Sequence, residues 1–428
     1  MKRLKLLISI LFVVLTLYGN KGISANPSNI NPISDSIGNT KVNHIPVFDP
    51  DAVKGVGNTS DFLDSVTFVM LETTPESKFS EITQLEITPK YYIIWDKANN
   101  TILYFDKGGH YLKKIANTDP DLAVPFKKID HFSINTKRNE LIFNDAHSSY
   151  MYVYTLDGTY KKHVKKPAYL GMSYYQLHNI RLYFLGYNGN GFSAAGVPAM
   201  NLFVFNGDKK PNTFFPFDST LVDYTDVYTI STNFYNNQDG TVNFIKAYDY
   251  NVYSIDTTGK LSKTYRIDLL PGKAIPADFM SNVAYRGKRM AYTNTNSKVI
   301  YSVADFFKSG KTVVFRLISH LDRPLFVYYG TSKRLFSLSD YTSDNATHLL
   351  PVIEQGIHAV DSEGRFISSI NAKTLFQIKS YMDNEPSWYQ SLPSSLKAFY
   401  NINDHSQNPV LTLLSMQEKN NWKINSSL

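Results

Sequence analysis

The sequence contains no cysteine, and it also lacks recognisable metal-ligand spacings. Without cysteine no disulfide framework is available, so the hydrophobic core alone has to stabilise the fold. The ten histidines include no His-x-His or His-Glu-x-x-His pattern, and no calcium-loop pattern occurs. We therefore predict no metal site and no cofactor.

Catalytic motifs are missing as well. No Gly-x-Ser-x-Gly nucleophile elbow is present, because the segment at 191–196 has the wrong spacing. The glycine-rich run at 186–191 is not followed by Lys-Ser or Lys-Thr, so it does not form a phosphate-binding loop. These absences leave catalysis open, and they favour a protein that is not an enzyme.

A large excess of charge of one sign is also absent. The chain carries 44 basic and 37 acidic residues, for a net charge of +7. Four basic residues and no acidic residue fall within positions 1–25, so the remainder carries 7 − 4 = +3. The other basic residues are scattered, apart from short clusters such as 161–166. A protein that tracks phosphates needs a denser basic surface, so we predict no nucleic-acid partner.

The first 25 residues have the pattern of a secretory signal peptide. A basic start at 1–5 precedes a run at 6–17 that is apolar except for Ser9 and Thr16, and Ala25 offers a small residue for cleavage. No stable membrane span is expected once this segment is removed. Because no cysteine follows the run for lipid attachment, we predict an exported protein, periplasmic or extracellular, without a lipid anchor.

Aromatic residues are abundant, at 14% of the chain, and they favour β-strands. Five segments repeat one pattern, in which an apolar or aromatic strand ends in Asp or Asn and is followed by a glycine turn, as in a tight hairpin. The turn glycines are Gly109, Gly158, Gly207, Gly259 and Gly364. Their spacings are 49, 49, 52 and 105, so a sixth, diverged unit is expected in the last interval, with its turn at Gly310 or Gly330.

Each period of about 50 residues holds four strand-like segments, which is typical of a propeller blade. We predict an all-β fold, a six-bladed β-propeller of four-stranded antiparallel blades at 61–415, closed by the N-terminal strand at 64–71 in the last blade. A β-sandwich is less favoured, since it would not repeat its turn chemistry at one spacing. The flanking segments are a signal peptide at 1–25, a flexible polar leader at 26–60 and a polar C-terminal tail at 416–428. Short helical turns interrupted by Pro393 are expected at 387–400.

Four segments together resemble the bacterial exported six-bladed β-propeller family related to NHL-repeat propellers, mostly of unknown function. They are Val69-Met-Leu-Glu-Thr-Thr74, Phe105-Asp-Lys-Gly-Gly109, Leu156-Asp-Gly158 and Asn408-Pro-Val-Leu411. The resemblance covers about residues 61–415. It implies the fold and export, and it implies no reaction. Many members are lipoproteins, whereas this chain lacks the cysteine for that anchor.

Polar residues that precede an apolar anchor in four predicted inner strands are candidate ligand-binding residues. If the anchors pack between blades, some of these polar side chains line the central channel, where amides and imidazole suit neutral polar ligands. The four candidates are Gln84, His131, Gln176 and Asn233. We expect a binding protein that recognises a glycan, peptide or envelope protein through one propeller face. The alternatives are a channel-based hydrolase or lyase and a structural subunit of an envelope complex.

Overall fold

The computed structural model describes residues 37–38, 41–166, 173–187, 199–207, 210–230, 232–237 and 239–418. The predicted signal peptide lies outside the described residues, as do most of the glycine-rich run at 186–191 and the predicted tail beyond 418. Within the described ranges, no helix combines the length and the apolar character that a membrane crossing requires.

Three strands precede the first blade: β1 (Asn43–Phe48), β2 (Gly55–Asn58) and β3 (Leu63–Met70), with the short helix α1 (Thr59–Phe62) before β3. β1 and β2 add in parallel to the outer edges of two later blades. The prediction of a flexible leader is therefore wrong for residues 43–60. The polar composition of this segment hid the buried side chains of Ile45, Val47 and Val56, which pack into the propeller.

Six sheets form the blades of the propeller, which confirms the predicted fold class. The strands of the first three blades are β4 (Gln84–Ile87), β5 (Tyr91–Asp96), β6 (Thr101–Asp106) and β7 (Tyr111–Ile115); β8 (Ile129–Asn135), β9 (Glu140–Asp145), β10 (Tyr150–Thr155) and β11 (Tyr160–Lys165); and β12 (Ser173–Leu177), β13 (Ile180–Phe184), β14 (Ala199–Asn206) and β15 (Asn212–Phe217).

Each of the other three blades includes one strand from the segment that precedes the first blade. β1 is a fifth strand of blade four, β2 is a fifth strand of blade five, and β3 is the fourth strand of blade six. The remaining strands are β16 (Phe234–Asn236), β17 (Val242–Phe244), β18 (Asn251–Ile255) and β19 (Leu261–Leu269); β20 (Ser302–Ser309), β21 (Thr312–Ile318), β22 (Leu325–Tyr329) and β23 (Arg334–Thr342); and β24 (Ala359–Val360), β25 (Phe366–Ile370) and β26 (Val410–Met416).

Helices occur mainly in two insertions. Helix α2 (Arg289–Thr295) lies between blades four and five, and α3 (Ala372–Met382), α4 (Pro386–Ser391) and α5 (Ser394–Ile402) connect β25 to β26. The expected interruption at Pro393 is confirmed, because this residue caps the start of α5. The three last helices pack their apolar faces against the largest core cluster of the protein, which includes Leu375, Leu396 and Phe399.

The repeated glycine turns are tight hairpins with aspartate caps. In blade one, a carboxylate oxygen of Asp106 accepts hydrogen bonds from the backbone N–H groups of Gly108 (2.8 Å) and His110 (2.9 Å). Gly109 has φ +90°, and a Cβ atom at this position would lie 1.9 Å from the Met70 carbonyl oxygen of β3. Glycine is required here both by the backbone angle and by the closeness of the closing strand.

The fifth blade is the diverged unit, and its middle strands β21 and β22 lie where the sequence placed them. Gly330 begins its β22–β23 hairpin, whereas Gly310 turns β20 into β21. Gly364 turns β24 into β25, the first hairpin of blade six, whereas Gly259 turns the third strand of blade four into the fourth. The insertion at 270–300 lengthens the interval between Gly259 and Gly364. The same aspartate–glycine turn can join the first and second strands of a blade or the third and fourth.

The ring closes as predicted, with β3 as the outer strand of blade six. β3 and β26 are antiparallel neighbours, from Val410 opposite Met70 to Met416 opposite Leu63. The buried Asn408 reinforces this closure: its Nδ2 donates to the carbonyl oxygens of Glu72 (2.9 Å) and Ser77 (3.0 Å). Two of the segments that carried the family resemblance therefore meet at the joint between the chain ends.

The core consists of apolar layers between neighbouring blades. Blades one and two share a cluster that includes Ile93, Trp95, Phe132, Phe143 and Tyr152. The rings of Phe143 and Tyr152 are stacked at 5.3 Å. Similar clusters join the other blades, so the innermost strands are held at fixed positions around the channel.

Candidate functional site

Two cavities are lined by residues of the inner strands of several blades. The front cavity, of about 450 Å³, lies where several inner strands begin, and it is lined by Ser80–Glu86, Thr232, Phe234–Asn236, Asp305, Phe307, Gln355, Ile357–Val360, Ser369, Asn371 and Pro409. The back cavity, of about 350 Å³, lies where other inner strands end, and its lining includes Ile87, Ile134, Tyr175 and Ser362. Asn236 lines both cavities, so it lies between them.

Gln84 is the one of the four predicted site residues that lines the front cavity. Both polar groups of its side-chain amide hydrogen-bond to the neighbouring blade. Nε2 donates to the Phe132 carbonyl oxygen (2.7 Å), and Oε1 accepts from the Phe132 backbone N–H (3.1 Å). Gln84 therefore braces blade one against blade two at the cavity wall.

His131 lies outside the lining of both channel cavities. It is the bulged residue of β8, with φ +47°, where the register shifts between Asp130 and Phe132. Nδ1 of its ring lies 3.1 Å from a carboxylate oxygen of Asp130, and the ring packs 5.2 Å from that of Trp95. A bulge changes the direction of a side chain, which simple alternation along a strand does not anticipate.

Gln176 and Asn233 are buried and already hydrogen-bonded. Gln176 accepts from the Tyr174 hydroxyl (2.7 Å) and lines the back cavity. Asn233 accepts from the Ser173 hydroxyl (2.7 Å) and donates to the Ile245 carbonyl oxygen (2.9 Å), so it links blades three and four. The structure does not bring the four predicted residues together into one site.

Glu86 is the residue that the sequence reasoning missed. It lies two positions after Gln84 on β4, lines the front cavity and is 8% exposed. Burial raises the pKa of its carboxyl to about 7, and hydrogen bonds to Asn236 and Gln84 offset this rise in part. Successive side chains of a strand alternate between its faces, so a channel-facing Gln84 already indicated a channel-facing Glu86.

Asp305 and Arg316 form an ion pair in the wall of the front cavity, with Nε of Arg316 2.7 Å from the Asp305 carboxylate. Asp305 sits at a bulge of β20 with φ +49°, and its backbone N–H donates to the Tyr235 hydroxyl at 2.9 Å. The carboxylate and the guanidinium neutralise each other, so this pair adds no net charge to the cavity wall.

His358 lies just before β24 in the same cavity, and Nε2 of its ring is 2.9 Å from the Ser369 hydroxyl. Burial lowers the pKa of the imidazole to about 4, and the nearby Arg316 guanidinium acts in the same direction. The ring is therefore neutral at physiological pH. One cavity thus contains an imidazole that stays neutral and a carboxyl that is half protonated near pH 7.

Aromatic rings complete the front cavity. Phe234, Tyr235 and Phe307 line it, and the rings of Tyr235 and Phe307 meet edge to face at 5.4 Å. Amides, a carboxyl and aromatic faces in one concave site are the usual means of holding a small polar ligand. Nowhere in the described ranges do three or more His, Asp or Glu side chains cluster as metal ligands would.

A larger cleft of about 630 Å³ lies between blades two and three, away from the channel. Its floor includes Ile142, Met151 and Val153, and Lys162 and Lys165 stand on its rim. A buried carboxylate in its lining, Glu140, is already paired with Arg138 and Lys161. Glu86 makes no such ion pair within the described ranges, so the front cavity is the stronger candidate site.

Comparison with known families assigns the fold and leaves the activity open. The family model described as "Domain of unknown function (DUF4934)" matches residues 47–415. The chain belongs to this family. No curated protein matches it.

One solved structure supports the same architecture, and two others are more distantly similar. A crystal structure of a "Putative exported protein" from Bacteroides fragilis NCTC 9343 is similar with a TM-score of 0.64 at 13% identity, covering 88% of this chain and all of that one. A member of the duf4221 family from Bacteroides vulgatus ATCC 8482 gives 0.43 at 8% identity, covering 83% of this chain and all of that one. Virginiamycin B lyase from Staphylococcus aureus gives 0.34 at 12% identity, covering 64% of this chain and 73% of that one. At 13% identity the likeness to the Bacteroides fragilis protein concerns the fold alone, and the TM-scores of the other two structures are too low to support a conclusion.

Proposed function

We propose that this DUF4934 propeller is an exported binding protein that holds a polar segment of a glycan or peptide in the front cavity. The observation that supports this most is the cavity itself, in which Glu86, Asn236 and the aromatic wall of Phe234 and Phe307 surround about 450 Å³. Such a volume accommodates one or two sugar units or amino-acid residues. Rigid blades with variable connections suit recognition.

Two exposed residues allow a matched test of this proposal. Gln355 lines the front cavity and Ser362 lines the back cavity. We expect Gln355→Trp to fill the front cavity and Ser362→Trp to fill the back one, without disturbing the core. The wild type and both variants are to be screened on arrays of glycans and peptides. Ligands of the wild type should be lost by Gln355→Trp and kept by Ser362→Trp; the reverse pattern would contradict the assignment.

A second candidate function is a hydrolase or lyase that uses the same cavity. It is favoured by one observation: a carboxyl with pKa about 7 (Glu86) and a neutral imidazole (His358) lie in one cavity, as an acid and a base would. Turnover of chromogenic ester and glycoside substrates is the test. If the wild type is active and Glu86→Gln and His358→Gln each abolish the activity, an enzyme is favoured. Equal activity in the wild type and both variants would exclude Glu86 and His358 as the catalytic pair.

A further inference from the structure

We propose that the ligand of the front cavity carries a protonated aliphatic amine, whose ammonium group pairs with the Glu86 carboxylate. This inference rests on the proposed function and specifies the chemical class of its ligand. It would apply equally to an amino sugar and to a lysine side chain or peptide amino terminus, because the ammonium group is common to all of them.

The first argument is the incomplete environment of Glu86. The side chain is more than nine-tenths buried, yet the groups that contact its carboxylate are neutral amides: Nε2 of Gln84 at 3.4 Å and the side chain of Asn236. The NH₂ group and the oxygen of the Gln84 amide also hydrogen-bond to the backbone of Phe132. A buried carboxylate is costly unless a cation compensates it. No lysine or arginine of the described chain makes an ion pair with Glu86, so the cavity has room for a cation from outside.

The second argument is the aromatic wall. Phe234 and Phe307 line the same cavity as Glu86, and neither ring carries a charge of its own. A ligand ammonium is attracted by the faces of aromatic rings, and its methylene groups gain from contact with them. A carboxylate beside phenyl rings therefore suits an alkylammonium better than it suits a carboxylate or phosphate.

The third argument is the balance of charge around the cavity. Several titratable or charged groups besides Glu86 line it or face it from the neighbouring blades: Glu81, Tyr175, Tyr235, Asp305, Arg316 and His358. Asp305 is compensated by Arg316, the His358 ring is neutral, and burial keeps the Tyr175 phenol protonated. Burial raises the pKa of the Tyr235 phenol, so this group is also neutral. The two carboxyls that remain, Glu81 and Glu86, give the cavity a negative potential above neutral pH, which attracts cations.

Binding of an amine should be coupled to the ionisation of Glu86. Burial raises the pKa of this carboxyl to about 7, so without a ligand the group is protonated below neutral pH. An ammonium ion favours the ionised form and must therefore lower the pKa when it binds. By the same linkage, the affinity for an amine that stays protonated throughout, such as an alkylamine, rises as the pH increases from 5 to 8.

The test is a carbon-13 NMR titration of the Glu86 carboxyl in the full chain, with and without n-butylammonium chloride. Glu86→Gln assigns the signal, and sodium chloride keeps the ionic strength equal. When the n-butylammonium concentration is ten times its dissociation constant, the midpoint of the Glu86 titration should fall by about one pH unit. Linkage makes the fall equal to the decimal logarithm of one plus the ratio of concentration to dissociation constant. The neutral analogue n-butanol should leave the midpoint unchanged, and Gln355→Trp should suppress the shift while Ser362→Trp retains it.

A midpoint that is unmoved by about 100 mM n-butylammonium, a concentration at which even millimolar affinity saturates the site, would overturn the amine inference. An equal shift with n-butanol would overturn it too, because charge would then play no part. These results would not refute ligand binding as such. A glycan or peptide that is lost only in Gln355→Trp, together with an unmoved Glu86 midpoint, would keep the proposed function and reject the amine.

Discussion

Replacing Glu86 with glutamine should make the protein more resistant to unfolding at alkaline than at acidic pH, relative to the wild type. The carboxyl has a pKa near 7 in the folded chain against an ordinary value of 4.5. The folded state therefore binds more protons between these values, and the wild type loses stability as the pH rises through this window. At 1.36 kcal/mol per pKa unit, the loss between pH 4.5 and 8 is about 3 kcal/mol.

Glutamine cannot ionise, and it can still hydrogen-bond to Gln84 and Asn236. The free energy of unfolding of Glu86→Gln minus that of the wild type should thus increase by about 3 kcal/mol from pH 4.5 to pH 8. Urea denaturation followed by tryptophan fluorescence measures this difference. A difference that stays constant with pH would refute the reasoning, because Glu86 would then titrate alike in both states.

His358 supplies an internal control of opposite sign. Its folded pKa, about 4, lies below the ordinary 6.5, so the unfolded state binds more protons between these values and the wild type gains stability as the pH rises through them. The advantage of His358→Gln over the wild type should therefore shrink with increasing pH, whereas that of Glu86→Gln grows. In the wild type the two effects largely cancel, so the single variants are needed to reveal either one.

Three further predictions concern the closure of the ring. Asn408→Ala should lower the free energy of unfolding by about 3 kcal/mol in urea denaturation, because three buried backbone partners lose their hydrogen bonds. Gly109→Ala should cost several kcal/mol in the same assay, since the new Cβ would collide with Met70, whereas Gly310→Ala, with φ +57° and open space, should cost about 1 kcal/mol. Deletion of residues 61–72 should abolish cooperative unfolding in calorimetry, and a cooperative transition would show that β3 is dispensable.

Most of the fold could be predicted from the sequence because the hairpin chemistry repeats. Asp106 and Gly109 encode a turn locally, and the spacing of such turns gives the period of the blades. The same locality limits what Gly364 indicates: an aspartate–glycine turn predicts a hairpin, and it does not predict which strands of the blade the hairpin joins. The parallel pairing of β1 and β2 depends on contacts more than 200 residues away along the chain, which no local pattern contains.

The candidate site was less accessible to sequence reasoning. The rule of a polar residue before an apolar anchor identified one residue of the front cavity, Gln84. Of the other three, His131 packs against Trp95, Gln176 lines the back cavity, and Asn233 joins blades three and four. The bulge at His131 turned its ring toward Trp95, and a bulge of this kind depends on the partner strand. Glu86 was within reach, because alternation places it on the face of Gln84. Its elevated pKa could not be predicted from the sequence, because it follows from burial in the folded protein.

The choice of the front cavity over the other cavities and the amine inference both depend on Glu86 being a buried carboxyl without a cationic partner. The most direct measurement is the midpoint of its carboxyl carbon-13 shift in the ligand-free wild type, assigned by the loss of the signal in Glu86→Gln. We predict a midpoint of about 7. A midpoint at or below the ordinary 4.5 would show that the carboxyl is solvated or already paired, and it would contradict the account.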